Sequence, residues 1–245
     1  MITKIKLMGS FDLKFKEGLQ VSFNGEINDI LYKESLLYPN NTKTFQEGDL
    51  EKEKSSYIIK PKDVLFFDMD GTLIDTNFAN FLSYKEAIYH VIKEDISIMQ
   101  CTTTTFFNRD KLKSTFPFLD KFDYEKIIQT KEDCYKHYLY KTTLIESNVS
   151  ILRKYANTNK TILVTNCRWK RALETLSYHG LIHKFTTFCC KEESEENTLN
   201  INKYQKAIYS LKMSPNDVIA FENEDKEIVN ALCAKIKIVN PKILL

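Results

Sequence analysis

Asp68 and Asp70 stand two residues apart at the end of a wholly apolar run, Val64-Leu65-Phe66-Phe67, and are followed by Gly71, Thr72 and Leu73. A short apolar run of this kind is expected of a parallel strand buried on both faces. Side chains at i and i+2 leave a strand on the same side. Both carboxylates therefore emerge together at the strand's carboxyl end, where open α/β sheets bind their ligands. Gly71 tolerates the positive φ of a sharp turn. A carboxylate so placed can act as a nucleophile and carry a covalent phosphoryl group. Its partner can protonate the leaving oxygen and then activate water. Alone, Asp-x-Asp-Gly would equally read as an acidic surface loop or a calcium turn. The buried strand before it and Thr72-Leu73 after it favour the catalytic reading.

The elements that must hold these groups follow a strand–helix rhythm from Pro61 onward. Apolar runs recur at Thr161–Val164, Val218–Phe221 and Ile236–Val239, with a weaker one at Phe185–Phe188. Helical patterns over about Asn148–Tyr155, Trp169–His179, Lys203–Leu211 and Asp225–Cys233 separate them. That alternation predicts an α/β fold: a Rossmann-like parallel sheet with helices on both faces. It is interrupted between Asn77 and about Ile145, where Phe78, Phe81, Leu82, Ile88, Val91 and Ile92 fall at helical spacing. A second stripe, Ile127, Ile128, Cys134, Tyr135 and Tyr138, follows a break at Pro117. So long a helical insert is too large for a crossover and reads as a separate small domain. Ahead of the core, Phe11–Phe15 and Leu19–Phe23 alternate apolar and polar around Lys16-Glu17-Gly18, which predicts a β-hairpin. Residues 39–56 are polar and turn-rich and predict a linker. The expected layout is an N-terminal β-rich extension (1–60), a core (61–76 and 146–245) and a helical domain (77–145).

Asp68-Met69-Asp70-Gly71-Thr72-Leu73 resembles the first motif of the haloacid dehalogenase superfamily, D-x-D-G-T-[L/V]. Ile74-Asp75-Thr76 extends the likeness to its phosphoglycolate phosphatase and sugar-phosphatase branch. The similarity covers about residues 61 to 240. It implies a helical C1-type cap after the first motif, with Mg²⁺ as cofactor and a small phosphorylated metabolite as substrate. On that resemblance Asp68 is the nucleophile and Asp70 the general acid/base, whose main-chain carbonyl also binds the metal. Gly71 and Thr72 would lie against the substrate. Thr165 is the second motif; with Asn166 it would cradle phosphate, the hydroxyl and successive N–H groups at a strand-to-helix turn being suited to that. Of the cations that follow, Lys170 and Arg171 read as solvated, and Arg168 as able to reach an anionic substrate. Lys203, which opens a helix, is the candidate third-motif lysine, with Lys191 and Lys206 as alternatives. Glu222 and Asn223 complete the metal set with Asp68 and Asp70, Asn223 standing where an aspartate is usual. The same residues would serve a phosphomutase, or a non-catalytic relative that has lost its metal.

Composition narrows the partners. A formal charge of +2 over 245 residues excludes the basic stripe of a nucleic-acid binder. No run approaches the roughly 20 apolar residues of a membrane span. Six cysteines without C-x-x-C spacing suggest reduced thiols and a cytoplasmic protein. Adjacent Cys189 and Cys190 should face opposite sides of a strand. The four histidines form no ligand cluster in sequence.

Overall fold

The computed structural model describes residues 57–96, 107–191, 201–241 and 243, together with the backbone of four strands nearer the N-terminus. Those four are β1 (Ile2–Met8), β2 (Phe11–Lys14), β3 (Gln20–Phe23) and β4 (Glu26–Lys33). β2 and β3 form the expected hairpin, with Phe11 opposite Phe23. β1 and β4 pair antiparallel around it, a longer ladder that sequence patterning did not suggest. The expected linker at 39–56 lies outside the described residues.

The core is a five-stranded parallel sheet in the order β11-β10-β5-β8-β9. Its strands are β5 (Val64–Phe67), β8 (Thr161–Arg168), β9 (Thr187–Lys191), β10 (Val218–Phe221) and β11 (Ile238–Val239). Helices α4 (Glu146–Tyr155), α5 (Trp169–Tyr178), α6 (Lys203–Ser210) and α7 (Asp225–Cys233) intervene. The apolar runs are continuous because alternate residues serve two cores. Leu65 and Phe67 join Leu152, Leu163, Leu176 and Phe221 on one face. Val64 and Phe66 join Ile162, Val164, Tyr204 and Ala220 on the other. Each fully buried Leu, Ile or Phe contributes roughly 1.5–3 kcal/mol relative to exposure. Cys190 packs on the first face and Cys189 on the second, as expected of strand neighbours.

Between β6 (Ile74–Asp75) and β7 (Thr143–Leu144), which pair antiparallel, the described residues form three α-helices and a short 3-10 turn at Lys136–Lys141. The α-helices are α1 (Asn77–Ile92), α2 (Arg109–Thr115) and α3 (Lys121–Tyr135). Phe81, Ile88, Leu112, Ile127 and Ile128 form a third core there, separate from those of the sheet. Phe78 of the predicted stripe is instead 44% exposed. The break at Pro117 is real: Phe116 leaves α2 at φ −124°, ψ 68°, as a residue before proline must leave the α region. Among the described residues no helix is long and apolar enough to cross a membrane.

Candidate active site

The chain order of the sheet reverses at β5. From there the strands run outward through β8 and β9, then return to the other side for β10 and β11. Such a switch point leaves a crevice at the carboxyl ends of the two adjoining strands. Asp68 N–H donates to the Phe221 carbonyl at 3.0 Å, one step beyond the β5–β10 ladder. This sets Asp68 beside Glu222. Beneath them the Phe67 and Phe221 rings stack at 4.6 Å and fix the two strand tips to each other. Gly71 turns the chain at φ +81°, and a Cβ there would come within 2.9 Å of Asn223 Cγ. Only glycine meets both demands.

Lys203 joins the two tips. A reciprocal cap between Asn202 and Gln205 pins the first turn of α6, and Asn202 Nδ2 also donates to the Asn230 carbonyl. From that anchored turn Lys203 Nζ donates to Asp68 Oδ1 at 2.7 Å and Glu222 Oε2 at 2.6 Å. Glu227 Oε2 is 3.9 Å away. A cation at a helix N-terminus opposes the macrodipole, so the three acids must hold it there. Burial works against the charged lysine, but Asp68 and then Glu222 and Glu227 outweigh it and raise its pKa above the usual range. Burial pushes Asp68 well above the ordinary carboxylate value; Lys203 offsets part of this, while Glu222 adds to it. Glu222 is itself saturated. Its Oε1 accepts from the N–H groups of Asn223 and Glu224, and its Oε2 from Lys203 and Tyr204 Oη.

Asp70 is held differently. Thr76 Oγ1 donates to its Oδ1 at 2.6 Å, and Arg171 grips both oxygens at 3.4 and 3.1 Å. The expectation that Arg171 is solvated is wrong: its side chain is only 12% exposed. It stacks over Tyr135 at 5.1 Å and lies 3.8 Å from Glu132, both on α3 of the insert. Sequence reading missed it because its partner is 101 positions away. Its placement on the inner side of an amphipathic helix, next to Ala172, was the only available signal.

The other expected residues divide. Thr165 is buried, but no strand-to-helix turn begins there: β8 runs on to Arg168 through a register irregularity, and the Thr165 hydroxyl accepts the Cys167 N–H. Asn166 donates to Glu227 Oε1 at 3.2 Å. Asp68, Asp70, Thr165, Asn166, Arg168, Lys203 and Glu222 line one cavity of about 370 Å³, with Lys191, Arg171 and Glu224. The insert closes it with residues such as Asn80, Tyr84, Arg109, Lys131 and Glu132. Gly71, Thr72 and Asn223 are not on its wall. They form the turn behind it, where Thr72 Oγ1 donates to Asn223 Oδ1 at 2.8 Å.

That geometry bears on the expected metal. Asp68, Glu222, Glu224 and Glu227 crowd a single lysine, and Glu227 Oε2 is buried without a hydrogen-bond partner. Desolvation, and then Glu222, raises Glu224 as well. Such an excess of negative oxygen donors suits a hard cation. Among the described residues no three Asp, Glu, His or Cys side chains converge tightly enough to hold one unaided. Mg²⁺ does not require that, since it takes one or two carboxylates and completes its shell with water and phosphate oxygens. The open donors are the Asp68 carboxylate, the Asp70 main-chain carbonyl and Glu224. Glu222 and Asn223, expected as ligands, already spend their side-chain oxygens on hydrogen bonds.

The haloacid dehalogenase-like hydrolase profile matches residues 65–240, and the chain belongs to that family. No curated protein matches it in sequence. Solved structures share its fold at low identity. A haloacid dehalogenase-like family hydrolase from Streptococcus pneumoniae is 16% identical, with TM-score 0.55 over 71% of this chain and 81% of that one. A predicted phosphatase from Clostridium acetobutylicum is 14% identical, with TM-score 0.61 over 71% and 82%. CbbY from Rhodobacter sphaeroides, solved in complex with phosphate, is 13% identical, with TM-score 0.55 over 73% and 86%.

Proposed function

We propose that this chain is a phosphatase acting on a small phosphomonoester through a phosphoryl group carried by Asp68. The observation that carries the reading is the Asp68–Lys203–Glu222 bridge across two strand tips, with Asp70 on the same cavity wall. A phosphate-bound relative of the same fold supports it.

Burial raises Asp68, and Lys203 offsets part of that cost, favouring the ionised form that a nucleophilic carboxylate requires. Asp68 Oδ1 bonds Lys203, leaving Oδ2 for attack on phosphorus. Asp70 would protonate the leaving oxygen and then take a proton from water. To reach either, it must exchange part of its grip from Arg171 and Thr76. Thr165 and the N–H groups beyond it would orient the phosphoryl oxygens. Mg²⁺, held by Asp68 and the Asp70 carbonyl, would supply charge that such transfers need, since catalysis there is mainly positioning and electrostatic stabilisation. The helical insert would act as a cap that excludes water when closed.

A second aspartate distinguishes this site from one suited to carbon–halogen cleavage, because a leaving alkoxide needs a proton and a halide does not. Phosphate release over a panel of sugar phosphates, nucleotides and phosphoglycolate, with Mg²⁺ and with EDTA, tests the proposal. Turnover that requires Mg²⁺ and disappears in Asp68→Asn is expected. Isomer formation without net phosphate release would move the chain to the phosphomutases. Undiminished turnover in the variant would remove the assigned nucleophile.

A further inference from the structure

For Asp70 to turn towards a leaving oxygen, Arg171 has to give up its hold. Three donors grip the Asp70 carboxylate, and two of them belong to that guanidinium. Nη1 donates to Oδ1 at 3.4 Å and Nη2 to Oδ2 at 3.1 Å. The Arg171 side chain is only 12% exposed. Breaking both bonds with nothing in exchange would leave a largely buried cation unpaired, which is strongly destabilising. One donor of the guanidinium is still unused. Nε is buried without a hydrogen-bond partner among the described residues. It stands 3.8 Å from Glu132 Oε2, within ion-pair distance but beyond hydrogen-bond reach. The other oxygen, Glu132 Oε1, accepts from Lys131 Nζ at 3.3 Å. Burial works against the charge on Glu132, but Lys131 and then Arg171 outweigh it and lower its pKa, so it is an ionised partner at neutral pH. The Tyr135 ring, 5.1 Å from Arg171 Cζ, supports the guanidinium on the same side.

We propose that Glu132 is a positioning residue for Asp70: as Asp70 turns towards the ester, Arg171 passes from Asp70 to Glu132 and its charge stays paired throughout. The inference rests on the phosphatase reading and adds to it a residue that acts through another. Only hydrogen bonds change hands. The two Arg171 donors leave Asp70, and Nε closes on Glu132 Oε2. A guanidinium is suited to this, because its five donors lie in one plane and can serve two carboxylates in turn. Arg171 belongs to the core and Glu132 to the insert, so the exchange is open only while the two are in contact.

Two esters similar in size but not in leaving group read the role in turnover. The alkoxide of benzyl phosphate leaves poorly without a proton, whereas the phenoxide of p-nitrophenyl phosphate scarcely needs one. For each, kcat/KM covers the steps up to departure of that group. Glu132→Gln should lower it about tenfold for benzyl phosphate, a part of what general acid catalysis supplies, and by no more than about twofold for p-nitrophenyl phosphate. Glu132→Asp, which keeps the charge, should lose less. Glu125→Gln, at an exposed acid on the same helix, should change neither ester. Equal losses for the two esters, as a binding or packing role would give, or no loss for either, would overturn the proposal. Urea denaturation of the full chain without substrate reads the exchange directly. In Asp70→Ala, Glu132 is the acid left to Arg171, so the fall in midpoint caused by Glu132→Gln should be at least about twice that seen with Asp70 present. If no phosphomonoester is hydrolysed but this non-additivity is found, the catalytic reading fails and the exchange stands. Equal falls in the two backgrounds would remove the exchange whatever the catalytic result.

Discussion

The two walls of the cavity are built on opposite electrostatic plans. At the sheet tip, Asp68, Glu222 and Glu227 surround Lys203, and every partner comes from this chain. Along the part lined by β8, β9 and α2, Arg109, Arg168 and Lys191 act on one another, and among the described residues none of the three is in a salt bridge, although Arg168 acts on Glu132. The first arrangement is closed on itself and serves to hold a reactive carboxylate in place. The second carries more cations than salt bridges among the described residues.

The comparison breaks most completely at the nucleophile. Asp68→Asn should lower kcat by at least about 10⁴-fold, as loss of a covalent nucleophile does elsewhere, while the variant still folds. Rates within tenfold of the wild type would show that the sheet tip is not the reacting side.

Lys203→Met comes next. Removing one partner of a buried ion pair costs about 3–5 kcal/mol, and the double variant with Asp68→Asn should recover part of that loss. The pH dependence follows from the shifts. Lys203 is raised above its unfolded value of 10.5, so its contribution is complete below that pH and fades as pH rises through the higher folded value. Asp68 is raised above 3.8, so acidification neutralises it and reduces the need for the cation. Denaturant titrations should show the largest gap between wild type and variant near neutrality, narrowing towards both extremes. A gap that is small at neutral pH would mean that the bridge contributes little.

Lys131 belongs to the other plan. It is 3% exposed, and burial followed by the charge of Arg171 lowers its pKa from 10.5 to about 8. A lowered lysine penalises folding fully below its folded value, and the penalty fades between about 8 and 10.5 as the unfolded chain deprotonates. Lys131→Met should therefore stabilise the ligand-free chain by about 3 kcal/mol at pH 7, with no gain above pH 10.5. Destabilisation at pH 7 would mean that its contacts over the Tyr84 and Tyr135 rings outweigh its burial. Smallest is Tyr204→Phe, which removes one of four donors to Glu222. Thermal unfolding should show a loss of about 1–2 kcal/mol, against none if the hydroxyl is dispensable.

The same contrast explains what the sequence made legible. The sheet tip was readable because its chemistry is contiguous: an apolar run, then Asp68-Met69-Asp70-Gly71, then a second run ending at Glu222. Lys203 was recoverable because it opens a helix between those two runs. The opposite wall is assembled from β8, β9 and α2, so no window of sequence contains it. Arg171 read as solvated for that reason, its partners Asp70 and Glu132 lying on different elements. Local propensity likewise overstated Thr165 as a turn, since the extension of β8 to Arg168 depends on pairing with Lys191 across the sheet. For Glu222 and Asn223, motif position suggested ligands, but only coordinates reveal that their oxygens are already taken.

Chemical trapping tests the phosphoryl-enzyme most directly. The chain would be mixed with a turned-over phosphomonoester and Mg²⁺, quenched, reduced with borohydride and digested for mass spectrometry. An acyl-phosphate on Asp68 would be reduced to the alcohol at that residue alone, and substrate-dependent conversion of Asp68 is the expected result. Steady turnover with Asp68 unmodified, or with the label on another residue, would contradict it.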